Sequence, residues 1–139
     1  MQKNRIKKGR DPRSNRVSLL THVNNSDPDL FIKVFYGVKE QTWRDWEWVI
    51  FDDSTDDLMW ALLTELEKED RRIKIFTYKR EGIDDRYIIS LGRSNIILGG
   101  SQALCKGQST GKFLIELKDN NILSEDALDL VVKGTKFEV

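Results

Sequence analysis

The chain predicts an α/β domain, a mostly parallel sheet flanked by helices. Three observations carry that expectation. Short runs rich in β-branched and aromatic residues alternate with longer stretches whose apolar residues recur at one-and-four spacing. Cap and turn residues stand at the junctions between them. The alternation runs strand, helix, strand, helix, strand by residue 78, the order that right-handed crossovers assemble into parallel strands.

The first strand is Val17-Ser18-Leu19-Leu20-Thr21, followed by a loop, His22-Val23-Asn24-Asn25-Ser26. Asp27-Pro28 then opens a helix, because a carboxylate can accept from the first orphan N–H groups and proline fits the first turn. Its apolar face is Leu30, Phe31, Val34, Phe35 and Val38, and it runs to about Glu40. After the turn Gln41 to Asp45, Trp46-Glu47-Trp48-Val49-Ile50-Phe51 reads as a buried strand. Ser54 with Asp57 three residues on resembles a capping box for a helix that buries Leu58, Met59, Leu62, Leu63 and Leu66 and ends near Asp70. Ile73 to Tyr78 is a strand with one wetter face. Further on, a strand is predicted over Arg86 to Leu91, a turn at Gly99-Gly100 and a helix over Ser101 to Ser109. Phe113 to Leu117 is another strand, and Ser124-Glu125-Asp126 caps a last short helix, Ala127 to Val132.

At 139 residues the chain has the length of one ordinary domain. Its 33% charged residues imply a well-solvated surface, and 23 Lys+Arg balance 23 Asp+Glu, so no whole-molecule field selects a partner. Four Trp, six Phe and three Tyr argue for a packed core over disorder. No stretch approaches the ~20 apolar residues of a membrane-spanning helix, and the start lacks the apolar region of a secretory signal. The single cysteine, Cys105, cannot staple the fold and fits a reducing compartment, so the expected location is cytoplasmic. One histidine, His22, leaves no obvious catalytic dyad and excludes His-rich metal chemistry.

Charge is nonetheless uneven. Residues 1–16 hold seven Lys or Arg against Asp11 alone, a net of +6 that leaves −6 for the remainder. With only Ile6 as an aliphatic residue and no period, this segment is expected to be a disordered basic leader ahead of a folded domain over 17–139. The plain reading is a solvated leader that helps solubility. The functional one is an electrostatic arm for RNA, phosphate or an acidic lipid surface, without a base-stacking platform, since no aromatic interleaves it.

In open α/β sheets, ligands bind outside the carboxyl ends of the strands. Three polar clusters fall there: Thr21 to Asn25, Asp52-Asp53, and Lys118-Asp119-Asn120-Asn121. They suggest a site for a polar small molecule, although strand ends also need polar turns and caps. Gly99-Gly100 lacks the spacing of a P-loop or a dinucleotide fingerprint. His22, Cys105 and the Trp43, Trp46, Trp48 cluster are read first as packing or surface residues.

At these clusters the sequence resembles the family 2 glycosyltransferases, inverting enzymes of the GT-A fold that use nucleotide-diphosphate sugars. The first matching piece is VSLLTHVNNSDPDLFIKVFYGVKEQTWRDWEWVIFDDSTDD, and the second is STGKFLIELKDNNILSEDAL. The resemblance implies that Thr21 and Asp53 hold the nucleotide base, with Asp52 shaping the loop beside them. Asp53 accepting the imide N–H of uracil would be a charge-assisted hydrogen bond, making a UDP-sugar the expected donor. The resemblance also implies a divalent cation, Mn²⁺ or Mg²⁺, held by an acidic motif that falls on Asp119. Arg86 or Arg93 would assist at the pyrophosphate, and Gln102 stands where relatives often carry a basic residue.

Two departures shape the expectation. Where the family typically reads Asp-x-Asp-Asp, this chain reads Lys118-Asp119-Asn120-Asn121, and an asparagine carbonyl is a weaker ligand than a carboxylate for a hard cation. Lys118 would repel a cation and could itself neutralise a phosphate. The family's acceptor-binding half, which carries the general base, lies beyond the matched region, so no base can be named. The expectation is a GT-A-like domain truncated before that half, completed by a missing C-terminal half or a partner chain. Its function would be recognition of a nucleotide-sugar donor for transfer to an unknown acceptor, truncated or impaired. The alternative is a catalytically inactive binding or scaffolding module.

Overall fold

Alternation along the first strand decides how the sheet is covered. The computed structural model describes residues 15–78, 88–91, 94–97 and 109–134. Strand β1, Val17–Val23, turns Val17, Leu19, Thr21 and Val23 toward the helices and Ser18, Leu20 and His22 to the opposite face. It is two residues longer than its apolar run, so His22 and Val23 belong to the strand and not to the loop.

Helix α1, Pro28–Lys39, starts as its first residues require, with the Asp27 carboxylate accepting from the Asp29 N–H at 3.0 Å. Strand β2, Trp46–Asp52, is buried along its whole length between neighbours on both sides. Helix α2 is Leu58–Glu69 and β3 is Ile73–Tyr78. A hairpin follows, β4 (Ile88–Leu91) antiparallel to β5 (Ser94–Ile97), with β5 parallel to β3. Sequence periodicity did not anticipate β5 or this edge reversal. Strand β6, Phe113–Glu116, pairs parallel with β1, and α3 is Ala127–Val132. Among the described residues the sheet order is β4-β5-β3-β2-β1-β6.

The main core lies between the sheet and the three helices, where Phe31 stacks on Trp48 with centroids 5.6 Å apart. Such a pair adds about 1 kcal/mol beyond area burial. Trp46 and Trp48 are fully buried and Trp43 packs partly against the same core, so this tryptophan group is packing. A smaller cluster of Val49, Phe51 and Phe76 fills the other face. Leu58 does not join the α2 stripe expected of it. It is 55% exposed, because the buried face runs from Met59 through Leu63, Leu66 and Glu67.

Two cap expectations also differ. Asp57 occupies the N-cap of α2 without a side-chain cap bond, and the Asp56 carboxylate receives the Leu58 N–H at 2.9 Å. At α3, no N-cap side chain bonds the helix. Gln41, fully buried in the α1–β2 turn, takes that role from across the chain. Its Oε1 accepts from the Leu128 N–H (3.0 Å), while its Nε2 donates to the carbonyls of Ser124 (2.6 Å) and Gly37 (3.0 Å). Replacing Gln41 by leucine should cost about 2 kcal/mol, since several buried groups lose partners. The check is a lower urea midpoint with an unchanged denaturant slope, together with faster hydrogen exchange at the Leu128 amide.

Arg16, assigned to the leader, is tied to the domain: its Nε donates to Asp45 (3.0 Å) and its carbonyl accepts from Lys112 and Phe113. Residues 1–14, the expected turn at Gly99-Gly100 and all but Ser109 of the helix expected over Ser101 to Ser109 lie outside the described residues.

Candidate functional site at the carboxyl ends of the strands

Because β1, β2, β3 and β6 are parallel, their carboxyl ends share one edge of the sheet. The chain moves from β1 toward β2 and β3 but later returns to the other side of β1 with β6. The segments after β1 and β6 both lead to helices on the same face of the sheet, and they lie side by side at the edge where open α/β sheets bind ligands. Residues 24–27 and 118–121 border it, with Asp52 and Asp53 next along the edge.

Thr21 lies beneath this rim. It is 2% exposed, its hydroxyl donates to the Leu117 carbonyl (2.7 Å), and it accepts from the Trp48 indole N–H (2.8 Å). The proton of that hydroxyl is thus committed inside the fold, where it pins the end of β6 to β1. The Leu117 N–H completes the pin by donating to the Leu20 carbonyl at 2.8 Å.

Asp52, the last residue of β2, is also 2% exposed. Burial pushes its carboxyl above the usual value, aided by the neighbouring charges of Asp53 and Asp56 and opposed by hydrogen bonds from Ser54. Its Oδ1 receives the Ser54 N–H at 3.0 Å, closing an Asx-turn that shapes the loop. The Ser54 hydroxyl in turn accepts from the Asn25 N–H at 2.9 Å. Asn25 sits at φ 52°, a left-handed conformation that asparagine tolerates, and its Oδ1 accepts from the N–H (3.1 Å) and hydroxyl (3.2 Å) of Thr55. The loops after β1 and β2 are laced together by these bonds and by the Asp53 N–H on the Val23 carbonyl (2.7 Å). Ser54 therefore joins two loops where a helix cap was expected.

The Asp53 carboxylate, partly buried, lies 3.8 Å from Nε2 of His22. That imidazole is about half exposed and lies parallel to Phe51, with centroids 5.4 Å apart. Between the loops after β1 and β6 the Ser26 hydroxyl donates to Asp119 Oδ2, a bond between residues 93 apart in the chain. Lys118 is exposed, and its carbonyl accepts from the Asn121 N–H at 3.1 Å. Thr21, Asp52, Asp53, Lys118 and Asp119 thus gather at one end of the sheet, with Thr21 and Asp52 as buried supports. Arg86, Arg93 and Gln102 lie outside the described residues. Asn25, Ser26 and Ser54 escaped sequence inspection as a group, because each bonds to a residue at least 29 positions away.

The expected divalent cation does not suit what stands here. Asp119 is the one carboxylate between Leu117 and Leu123, and one of its oxygens already receives Ser26. Among the described residues, no group of three or more His, Cys, Asp or Glu could hold a metal ion. A hard cation asks for more oxygen charge than this.

A separate cleft of about 370 Å³ opens near the amino ends of the strands, lined in part by Arg16, Asp45, Trp46, Glu47, Arg72 and Lys74. Its carboxylates meet cations: Asp45 bonds Arg16 at 3.0 Å and Glu47 bonds Lys74 at 2.9 Å. The Arg72 guanidinium lies 3.6 Å above the Trp46 ring and holds Asp70 at 2.7 Å. These pairs account for Arg16, Asp45, Glu47, Arg72 and Lys74 of the lining without a ligand.

Among the described residues, no helix is long and apolar enough to cross a membrane. No protein-family model matches the sequence, and no curated protein matches it. A solved structure does resemble the fold: TarS from S. aureus, at 15% identity and a TM-score of 0.61, over 85% of this chain. The chain spans 19% of the length of TarS. What the two share is architecture, an α/β fold of the GT-A-like, Rossmann type with a mostly parallel sheet flanked by helices.

Proposed function

We propose that this domain recognises a nucleotide-diphosphate sugar in the manner of the family 2 glycosyltransferases, and that it serves the donor side of a glycosyl transfer. The observation that carries this is the laced rim at the carboxyl ends of β2, β1 and β6, with Asp53 on one side of β1 and Lys118-Asp119 on the other. The sequence resemblance from Val17 to Val132 and the GT-A-like architecture support the same function. Asp53 is assigned the uracil imide N–H, with Asp52 and Thr21 holding its loop and the end of β6 in register. The thin carboxylate set around Asp119 favours a second reading, a binding or scaffolding module that retains donor recognition without transfer.

Titration calorimetry with UDP, UDP-sugars, CDP and GDP tests the assignment. UDP should bind in preference to the other nucleotides. Asp53→Asn should weaken it about tenfold, the loss of one charge-assisted hydrogen bond. Absence of UDP binding, or indifference of its affinity to Asp53→Asn, overturns the assignment.

A further inference from the structure

Resting on the donor-binding reading above, we propose that Lys118 neutralises the donor's diphosphate in place of a divalent cation, so that donor binding is independent of metal. The charge around this rim poses the problem. The end of β2 and the loops after β1, β2 and β6 carry Asp27, Asp52, Asp53, Asp56, Asp57 and Asp119, and a diphosphate approaching such a rim is repelled unless positive charge meets it. Ordinarily a cation held by several carboxylates would supply that charge. Here Asp119 is flanked by Lys118 on one side and neutral Asn120 and Asn121 on the other, and the Ser26 hydroxyl occupies one of its oxygens.

Lys118 is built to serve instead. The preceding residue is held at both polar groups, its carbonyl by Thr21 and its N–H by Leu20, and the Lys118 carbonyl is held by Asn121. The backbone that launches the side chain is therefore fixed at the carboxyl end of β6 beside β1, while the side chain itself is exposed to solvent. An ammonium group there acts as a compact point charge with three donors, which suits phosphate oxygens. It also works against a metal, because a divalent ion at Asp119 would have this cation as its sequence neighbour. Asp119, bonded to Ser26, then serves to hold the two loops together.

The test is calorimetry of UDP and of uridine, in EDTA and in MnCl₂, on the wild-type chain, Lys118→Met and Lys118→Arg. The wild type should bind UDP with an affinity that agrees within about twofold between EDTA and Mn²⁺. Lys118→Met should weaken UDP about tenfold under both conditions and leave uridine unchanged, as expected for a lost charge-assisted contact to phosphate. Lys118→Arg should restore most of the loss. Because the side chain is exposed, urea unfolding of the variants should match the wild type. UDP binding that requires Mn²⁺, or that ignores Lys118→Met, overturns the proposal while leaving donor recognition standing. Failure of UDP to bind under either condition overturns donor recognition and this inference together.

Discussion

Glu47→Ala is expected to destabilise the domain by about 3 kcal/mol, near the low end for breaking a buried ion pair because Lys74 keeps some contact with water. Glu47 is 3% exposed on β2 and gathers donors from three parts of the chain. Lys74 of β3 lies 2.9 Å away, the Ser18 hydroxyl of β1 donates to Oε2, and Thr110 donates both its N–H and, at 3.0 Å, its hydroxyl. Thr110 and Gly111 lead into β6, and the Gly111 N–H bonds the Ser18 hydroxyl at 2.8 Å. A side chain at Gly111 would meet the Arg16 carbonyl at 2.7 Å, so only glycine lets these segments approach so closely. Removing the carboxylate leaves these donors without their shared acceptor.

The effect carries a pH signature. Burial pushes the Glu47 carboxyl up, but the bonds from Lys74, Ser18 and Thr110 outweigh it and hold the group below its ordinary 4.5. A folded value below the unfolded one means that the unfolded chain binds more protons in that window. The contribution is therefore complete above 4.5 and is lost as pH falls through the folded value. Asp52 is raised instead and acts in the opposite sense, but it is common to both proteins and cancels in their difference. Urea unfolding across acid pH should show the wild-type and Glu47→Ala stabilities converging. A gap that stays constant would mean that the carboxylate's charge is not what matters.

Thr21→Val should cost a similar amount, about 3 kcal/mol, although the two side chains have nearly the same shape. Valine leaves the Leu117 carbonyl and the Trp48 indole N–H buried with no partner, and each such group costs about 1–3 kcal/mol. Thr21→Ser keeps the hydroxyl and should recover most of the loss. Hydrogen exchange at the Trp48 indole N–H should accelerate in the valine variant and stay slow in the serine variant. Stability of Thr21→Val within about 0.5 kcal/mol of wild type would show that the hydroxyl is dispensable.

The sequence was most legible where its signals are local. Asp27-Pro28 starts α1 as read, and the runs Trp46 to Phe51 and Ile73 to Tyr78 are strands within a residue of their expected ends. Helix periodicity located α2 but placed Leu58 on its buried face, because a helix's first residue can continue a one-and-four pattern and still project into water. Ser54 and Ser124 carried sound cap signals, yet neither hydroxyl caps its helix. The Ser124 hydroxyl turns to the Asp126 carboxylate two residues on, and the Ser54 hydroxyl went to the distant Asn25 N–H. Nothing within a window of a few residues registers a competitor that arrives from across the fold.

The candidate site divides along the same line. That polar residues would follow β1, β2 and β6 was readable from the chain, because each apolar run ends abruptly in Asp, Asn or Lys. Element order as far as β3, the core stripe of α1 and the acidic character of the strand ends were likewise determined by the amino-acid order alone, since periodicity, capping and charge act between near neighbours. The return of β6 to the flank of β1 and the bond from Ser26 to Asp119 were decided only by the tertiary structure. So were the burial of Thr21 and its hold on Leu117. These contacts join residues more than ninety positions apart, and their free energy exists only once the intervening chain has closed and the sheet has excluded water.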